Sequence, residues 1–246
     1  MLRIGMLSFA HVHAEGYAQQ IKDSKEAEIA IIWDDDEARG KAAAERHGVP
    51  FTMNLDEVLS DDSIEGVVSN AETSKHRDLF LKVAAAKKHL FTEKALTITT
   101  AEADEVIPAV KASGVKFMIS LPSRSRPEIL FAKKMIEEGA LGQITMMRMR
   151  IAHCAALDRW FGGGSAWFAD AKLAGGGALF DLGCHTVDVM RWFLGEPASV
   201  VAKMNNFSGA YDIDDNCVMV VEFKNKAIGL LDVAFVHRHG PNTTEI

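Results

Sequence analysis

Through the first 120 residues, short apolar runs alternate with longer amphipathic stretches. Arg3 to Phe9 is the first run; EIAIIWD (28–34), IEGVVSN (64–70), HLFTEK (89–94) and VKFMISL (115–121) follow. Between them lie residues 13–23, DDEARGKAAAERHG (35–48), KHRDLFLKVAAAKK (75–88) and TTAEADEVIPAVKASG (99–114). These carry helical spacing, a threonine cap or a glycine stop. Strands alternating with helices predict βαβ units, a parallel sheet and, with right-handed crossovers, a doubly wound Rossmann domain.

After residue 122 the rhythm changes. RPEILFAKKMIEEG predicts a helix, and ITMMRMRIAH (144–153) a strand with one partly polar face. A Gly-rich loop leads into a predicted helix, DLGCHTVDVMRWFLG. Three strand-like runs follow: SVVAKMN, CVMVVEF and AIGLLDVAFV. The pattern predicts a second, α+β domain with a largely antiparallel open sheet. The expected division is 1–120 and 121–246. The chain ends on TTEI without a cap or turn, so the second sheet is expected to be interrupted there, leaving an unpaired edge.

Apolar residues make up 48% of the chain, enough for a sizeable core. The net charge of −7 argues against a nucleic-acid surface, which usually shows as a basic face. Cys154, Cys184 and Cys217 are too scattered for a disulfide framework or a CxxC zinc site. No apolar run approaches the roughly 20 residues that span a bilayer. With no signal-peptide pattern, a cytoplasmic protein is expected.

The stretch SFAHVHAEGY follows the first strand and admits two chemistries. A dinucleotide loop takes G-x-G-x-x-G there, and the aligned positions read Ser8, Ala10 and His13. Ser8 and Ala10 are small enough for close approach, and the helix start offers amides to an anion. Asp34, ending the second strand, suits a ribose diol and with Asp35 and Asp36 disfavours a 2′-phosphate, hence NAD over NADP. The same acids suit a helix cap. Alternatively, His11 and His13 point the same way and could hold a metal, as in a hydrolase barrel, but that fold needs eight βα units and about five are present.

Two later segments narrow the choice. Glu93-Lys94 ends a strand, and Gly175-Gly176-Gly177 precedes Asp181 and His185. In these, and in RSRPEILFAKKMIEEGALGQI (124–144), the chain resembles the glucose-fructose oxidoreductase and inositol dehydrogenase family (Gfo/Idh/MocA). Asp181 and His185 lie one helical turn apart, and the glycines would let backbone approach a ligand closely. A lysine at a parallel-strand end lies at the rim where ligands bind. The resemblance implies an NAD(P)-dependent oxidoreductase acting on a sugar, cyclitol or related polyol in a cleft between two domains. Lys94, Asp181 and His185 are its expected catalytic residues. Ser8, Phe9, Ala10, His11, Asp34, Ala71, Thr73, His76, Glu93 and Lys94 are the expected cofactor contacts, and Arg124, Arg159 and Trp167 the substrate-side candidates. No metal is expected, and subunits could pair through the second sheet. The chain departs from the family pattern in the glycine fingerprint, in Ala95 for the proline of Glu-Lys-Pro, and in Ala71-Glu72-Thr73 for Thr-Pro-Asn. The family's second domain also runs on for longer, so this chain reads as a truncated or unusually short member. A non-catalytic binding or regulatory protein on the same fold remains the alternative.

Overall fold

The computed structural model describes residues 1–246. The chain divides into two compact units, Met1–Ser120 and Leu121–Ile246.

The first unit carries strands β1 (Leu2–Leu7), β2 (Ala27–Trp33), β3 (Phe51–Thr52), β4 (Gly66–Ser69), β5 (His89–Thr92) and β6 (Phe117–Ile119). Its helices are α1 (Ala14–Asp23), α2 (Glu37–His47), α3 (Leu55–Leu59), α4 (His76–Ala85) and α5 (Thr100–Ser113). The strands are parallel, in the order β3-β2-β1-β4-β5-β6. This is the predicted doubly wound sheet, and its order reverses between β1 and β4, where such sheets bind ligands.

Successive β1 side chains serve opposite faces. Met6 packs with Ala14, Ala18, Ala43 and Ala44 of α1 and α2; Leu7 packs with Leu79, Phe80, Val83 and Val106 of α4 and α5. β4 is buried at all four residues, which explains its uninterrupted apolar run. Asp36 caps α2 through the Arg39 amide, and Thr99 caps α5 through that of Glu102. Gly40 is required by close packing, because a Cβ there would lie 2.1 Å from the Phe51 ring. β3 and α3 are too short to show a period and were not expected.

The second unit has helices α6 (Pro127–Glu137), α7 (Ala171–Ala174), α8 (Ala178–Asp181) and α9 (Gly183–Leu194). Its strands are β7 (Met146–Ala152), β8 (Pro197–Asn205), β9 (Asn216–Phe223), β10 (Ile228–Ala234) and β11 (Thr243–Glu245). The sheet order is β11-β7-β10-β9-β8, with only β7 and β10 parallel. The largely antiparallel sheet is therefore as expected. The alternation in β7 places Met147 and Met149 in the core with Val189, Met190 and Phe193 of α9, while Met146 and Arg148 stay outside. The final residues form the outermost strand: Thr243–Glu245 pairs antiparallel with β7 on one side only, so the sheet ends there on an open edge. β8 is exposed along its whole length, and Val201, Val218 and Val220 share an open apolar face of the sheet.

Candidate active site

In the first unit the loop from β1 to α1 starts at Ser8, whose φ of 68° is the left-handed conformation that a first glycine supplies in a dinucleotide fingerprint. The loop spends most of its amides internally. Phe9 N donates to Asp34 Oδ2 (2.9 Å), Ala10 N to Ser8 Oγ (3.2 Å), His11 N to the Asn70 carbonyl (2.9 Å) and His13 N to His11 Nδ1 (3.2 Å). α1 then begins at His13 without a side-chain cap, and the amides of Glu15 and Gly16 have no acceptor in the chain.

Below this loop is Glu93, fully buried at the C-terminal end of β5. His13 Nδ1 lies 2.9 Å from Glu93 Oε1, which also accepts the Tyr17 hydroxyl, and His11 Nε2 lies 3.5 Å from Glu93 Oε2. Tyr17 Oη is also 2.8 Å from Ser120 Oγ. Burial raises the Glu93 pKa, but the hydrogen bonds from His13 and the Tyr17 hydroxyl outweigh it and bring the carboxyl down to about 2. The same buried environment and the Glu93 charge push the Tyr17 phenol up.

The ligand atoms of His11, His13 and Glu93 lie within 4.8 Å of one another, close enough for one metal ion. The hydrogen bonds argue otherwise. His11 Nδ1 accepts the His13 amide, so neutral His11 carries its proton on Nε2, the nitrogen facing Glu93. A protonated nitrogen cannot ligate. The set is read better as a buried carboxylate that accepts from His13, Tyr17 and the Lys94 amide, with His11 beside it, than as a metal centre.

Asp34 is present at the end of β2 but turned inward, which corrects its reading as a presented ribose ligand. It is 0% exposed. Its oxygens accept from Phe9 N, Asp36 N and both Nε and Nη2 of Arg39, at 2.6 to 3.0 Å. Arg39 was not foreseen; it lies five residues on, in the first turns of α2, and also reaches Ser8 Oγ. The acid lining the adjacent cavity is Asp35, half-exposed and paired with Lys75 and Arg39. That cavity measures about 460 Å³ and is walled by Trp33, Met53, Asn54, Ser74 and Leu79, an adequate volume for a nucleoside.

His76 is also corrected. It is 0% exposed, with Nδ1 2.9 Å from the Ala95 carbonyl and Nε2 3.2 Å from that of Ala71. Burial lowers its pKa, and it ties down the segment after Lys94 rather than facing a ligand. Ala71, Thr73, Ser8, Phe9 and Ala10 are all buried, so their contribution to any site runs through backbone and shape. Lys94 follows β5, with its amide on Glu93 Oε2 (3.1 Å).

In the second unit, Asp181 ends α8 and His185 lies in the first turn of α9, with helical Leu182 between the two elements. One continuous helix was expected; the break leaves the two residues about a turn apart. The glycines before them serve the chain itself. Asp214 receives Gly177 N and Leu179 N at 2.8 Å each, and its carbonyl receives Ala178 N at 2.8 Å. A Cβ on Gly177 would lie 2.0 Å from that carbonyl, which corrects the reading of this glycine as room for a ligand. Asp214 thus anchors the Asp181 segment; its place in a loop 37 residues away left no local signal. Arg124 is committed to Asp188 by two 2.7 Å bonds and lies 5.0 Å from the Trp192 ring centroid. Trp167 is buried against Phe168, and of the substrate-side candidates only Arg159 is exposed without a partner in the chain.

These features define a dinucleotide-binding Rossmann unit followed by an α+β unit carrying an Asp-x-x-x-His helix start. Residues 2–121 match the oxidoreductase family with NAD-binding Rossmann fold, and residues 129–246 match the GFO/IDH/MocA C-terminal domain. The chain therefore belongs to the Gfo/Idh/MocA family. It is 28% identical over 224 residues to the levoglucosan dehydrogenase of Pseudarthrobacter phenanthrenivorans, covering 81% of this chain and 57% of that protein. The myo-inositol 2-dehydrogenase of Thermotoga maritima is 25% identical over 237 residues, covering 94% and 68%. Among solved structures, GenD2 from gentamicin A biosynthesis in complex with NAD superposes with a TM-score of 0.87 at 28% identity, covering 97% of this chain and 67% of GenD2. A levoglucosan dehydrogenase in complex with NADH and L-sorbose gives 0.84 at 25% identity, covering 99% and 70%. The chain thus spans between 57% and 70% of the length of these four relatives. No helix is long and apolar enough to cross a membrane. The first unit fits a dinucleotide on its own geometry: the switch point, the uncapped start of α1 and the cavity beside β2 lie in one unit.

Proposed function

We propose that the chain is the cofactor- and substrate-binding part of an NAD-dependent oxidoreductase that moves hydride to or from a CH–OH carbon of a sugar, cyclitol or related polyol. The observation that carries this is Lys94 at the C-terminal end of a Rossmann β5, joined in one family chain with Asp181 and His185. NAD, when bound, accepts or returns the hydride. His185 removes the hydroxyl proton, since imidazole titrates near neutrality. The Lys94 ammonium suits stabilisation of the negative charge that develops on a substrate oxygen. Asp181 orients a substrate hydroxyl or the imidazole. The relatives named for levoglucosan and myo-inositol favour a cyclic polyol.

The test is nicotinamide absorbance during turnover with myo-inositol, levoglucosan and glucose. Lys94→Ala and His185→Ala should each lower kcat by roughly a hundredfold or more, as expected of acid–base and oxyanion roles. Retention of wild-type hydride transfer by both variants would sink the assignment.

A second reading, a binding or regulatory protein without catalysis, is favoured by one observation: Asp34 is already held by Arg39. Titration with NADH separates the two, because this reading expects weak or no binding. A pairing of subunits through the open face of β8 and β9 is also proposed, and light scattering would test it.

A further inference from the structure

The glycine fingerprint works because amides left exposed by glycine can approach a pyrophosphate closely. In this chain the amides of Phe9, Ala10, His11 and His13 are all given to acceptors of the chain itself. A dinucleotide at this switch point would therefore lack much of its usual set of donors. The loop offers another. His13 is the residue at the start of α1, and its side chain is 57% exposed above the fully buried Glu93. Its Nδ1 points down to Glu93 Oε1 at 2.9 Å. Because the carboxylate only accepts, that nitrogen carries a proton, while Nε2 of this half-exposed ring makes no hydrogen bond within the chain.

We propose that His13, oriented by Glu93, donates from Nε2 to the pyrophosphate of the bound dinucleotide in place of the glycine-loop amides. The proposal rests on the dinucleotide reading of the first unit. Donation from both ring nitrogens makes His13 an imidazolium in the complex, and the Glu93 carboxylate beneath it balances that charge. The uncommitted amides of Glu15 and Gly16 stand on the same helix end and add to the same anion site. The groups facing the ring are Glu93 from β5, Tyr17 from α1 and His11 from the loop. Glu15 beside it is drawn away by Arg46 and His47.

The experiment is equilibrium titration of wild type, His13→Ala and His13→Gln with NADH and with ADP-ribose, from about pH 6 to about pH 8.5, the span in which an imidazole ordinarily titrates. NADH is followed by nicotinamide fluorescence and ADP-ribose by calorimetry. Wild-type affinity for both should fall as pH rises. His13→Ala should weaken both by roughly tenfold to a hundredfold, as for one charge-assisted hydrogen bond, and lose the pH dependence. His13→Gln, which keeps a donor without the charge, should lie between and be flat with pH. Thermal melts confirm that the variants fold. Wild type that binds, with His13→Ala binding equally and with the same pH profile, overturns the proposal. Loss confined to NADH, with ADP-ribose unaffected, overturns it too, by moving His13 to the nicotinamide end. Wild type that binds neither ligand overturns the dinucleotide reading and this proposal with it.

Discussion

Replacing Glu93 by glutamine should flatten one part of the protein's acid response. The carboxyl is fully buried, and its pKa falls from 4.5 to about 2, with desolvation opposing and the His13 and Tyr17 hydrogen bonds prevailing. The depression of about 2.5 units corresponds to about 3 kcal/mol at 1.36 kcal/mol per unit. For a carboxyl with a depressed folded pKa, the contribution is complete above the unfolded value of 4.5 and is lost as pH falls through about 2. By about pH 3 more than half of it is gone on the same linkage arithmetic. Many other carboxyls titrate in this window, so the quantity to follow is the wild type minus Glu93→Gln difference in unfolding free energy. Urea titrations at pH intervals from about 6 down to about 3 supply it. The difference should shrink by about 2 kcal/mol across that span, and a constant difference would refute the claim that Glu93 is held ionised by its hydrogen-bond donors.

Asp214→Ala should cost about 1–2 kcal/mol of stability, the usual loss of a helix-capping carboxylate, and should lower kcat through the misplaced Asp181 segment; thermal unfolding and turnover read the two effects. His76 is buried with a lowered pKa, so its contribution is present above the ordinary imidazole value and is lost as pH falls below it. Wild type should therefore lose stability faster than His76→Gln between about pH 7 and pH 5, by at most about 1.4 kcal/mol per pH unit for one proton, and parallel curves would refute the assignment. Asp35→Ala removes one of the acids that line the cavity beside β2 and leaves the Lys75 ammonium there with Glu72 as its remaining partner. The ratio of NADH to NADPH affinity should then shift roughly tenfold toward NADPH, which competitive titration would detect.

The parallel sheet was legible because its burial is two-sided. β4 is apolar without alternation, and Met6 and Leu7 of β1 feed cores on opposite faces, so each strand appears as an uninterrupted run. Helices α1, α2, α4 and α5 were legible through spacing and caps. What escaped notice was either too short or made by a distant partner. Two residues of β3 show no period, and the three of β11 are a strand only because β7 offers its edge. The start of α8 is set by Asp214, which takes the amides of Gly177 and Leu179 from a loop that nothing local announces.

The candidate site shows the same division at the level of single donors. Sequence supplied residue types: a small-residue loop, an acid after β2, a Glu-Lys pair, a run of glycines. It could not say which of their hydrogen-bonding groups the chain consumes itself. Asp34 fits the ribose position until Arg39 fills it, and Gly177 fits a ligand approach until the Asp214 carbonyl occupies that space. The decisive contact, His13 to Glu93, joins residues 80 apart and appears only once β1 and β5 have both entered the sheet. His13 aligns with the third glycine of the fingerprint. That glycine normally lets helix and strand pack closely, and an imidazole there would be a defect if nothing held it. Glu93 holds it, so the change that removes the glycine also brings in the donor.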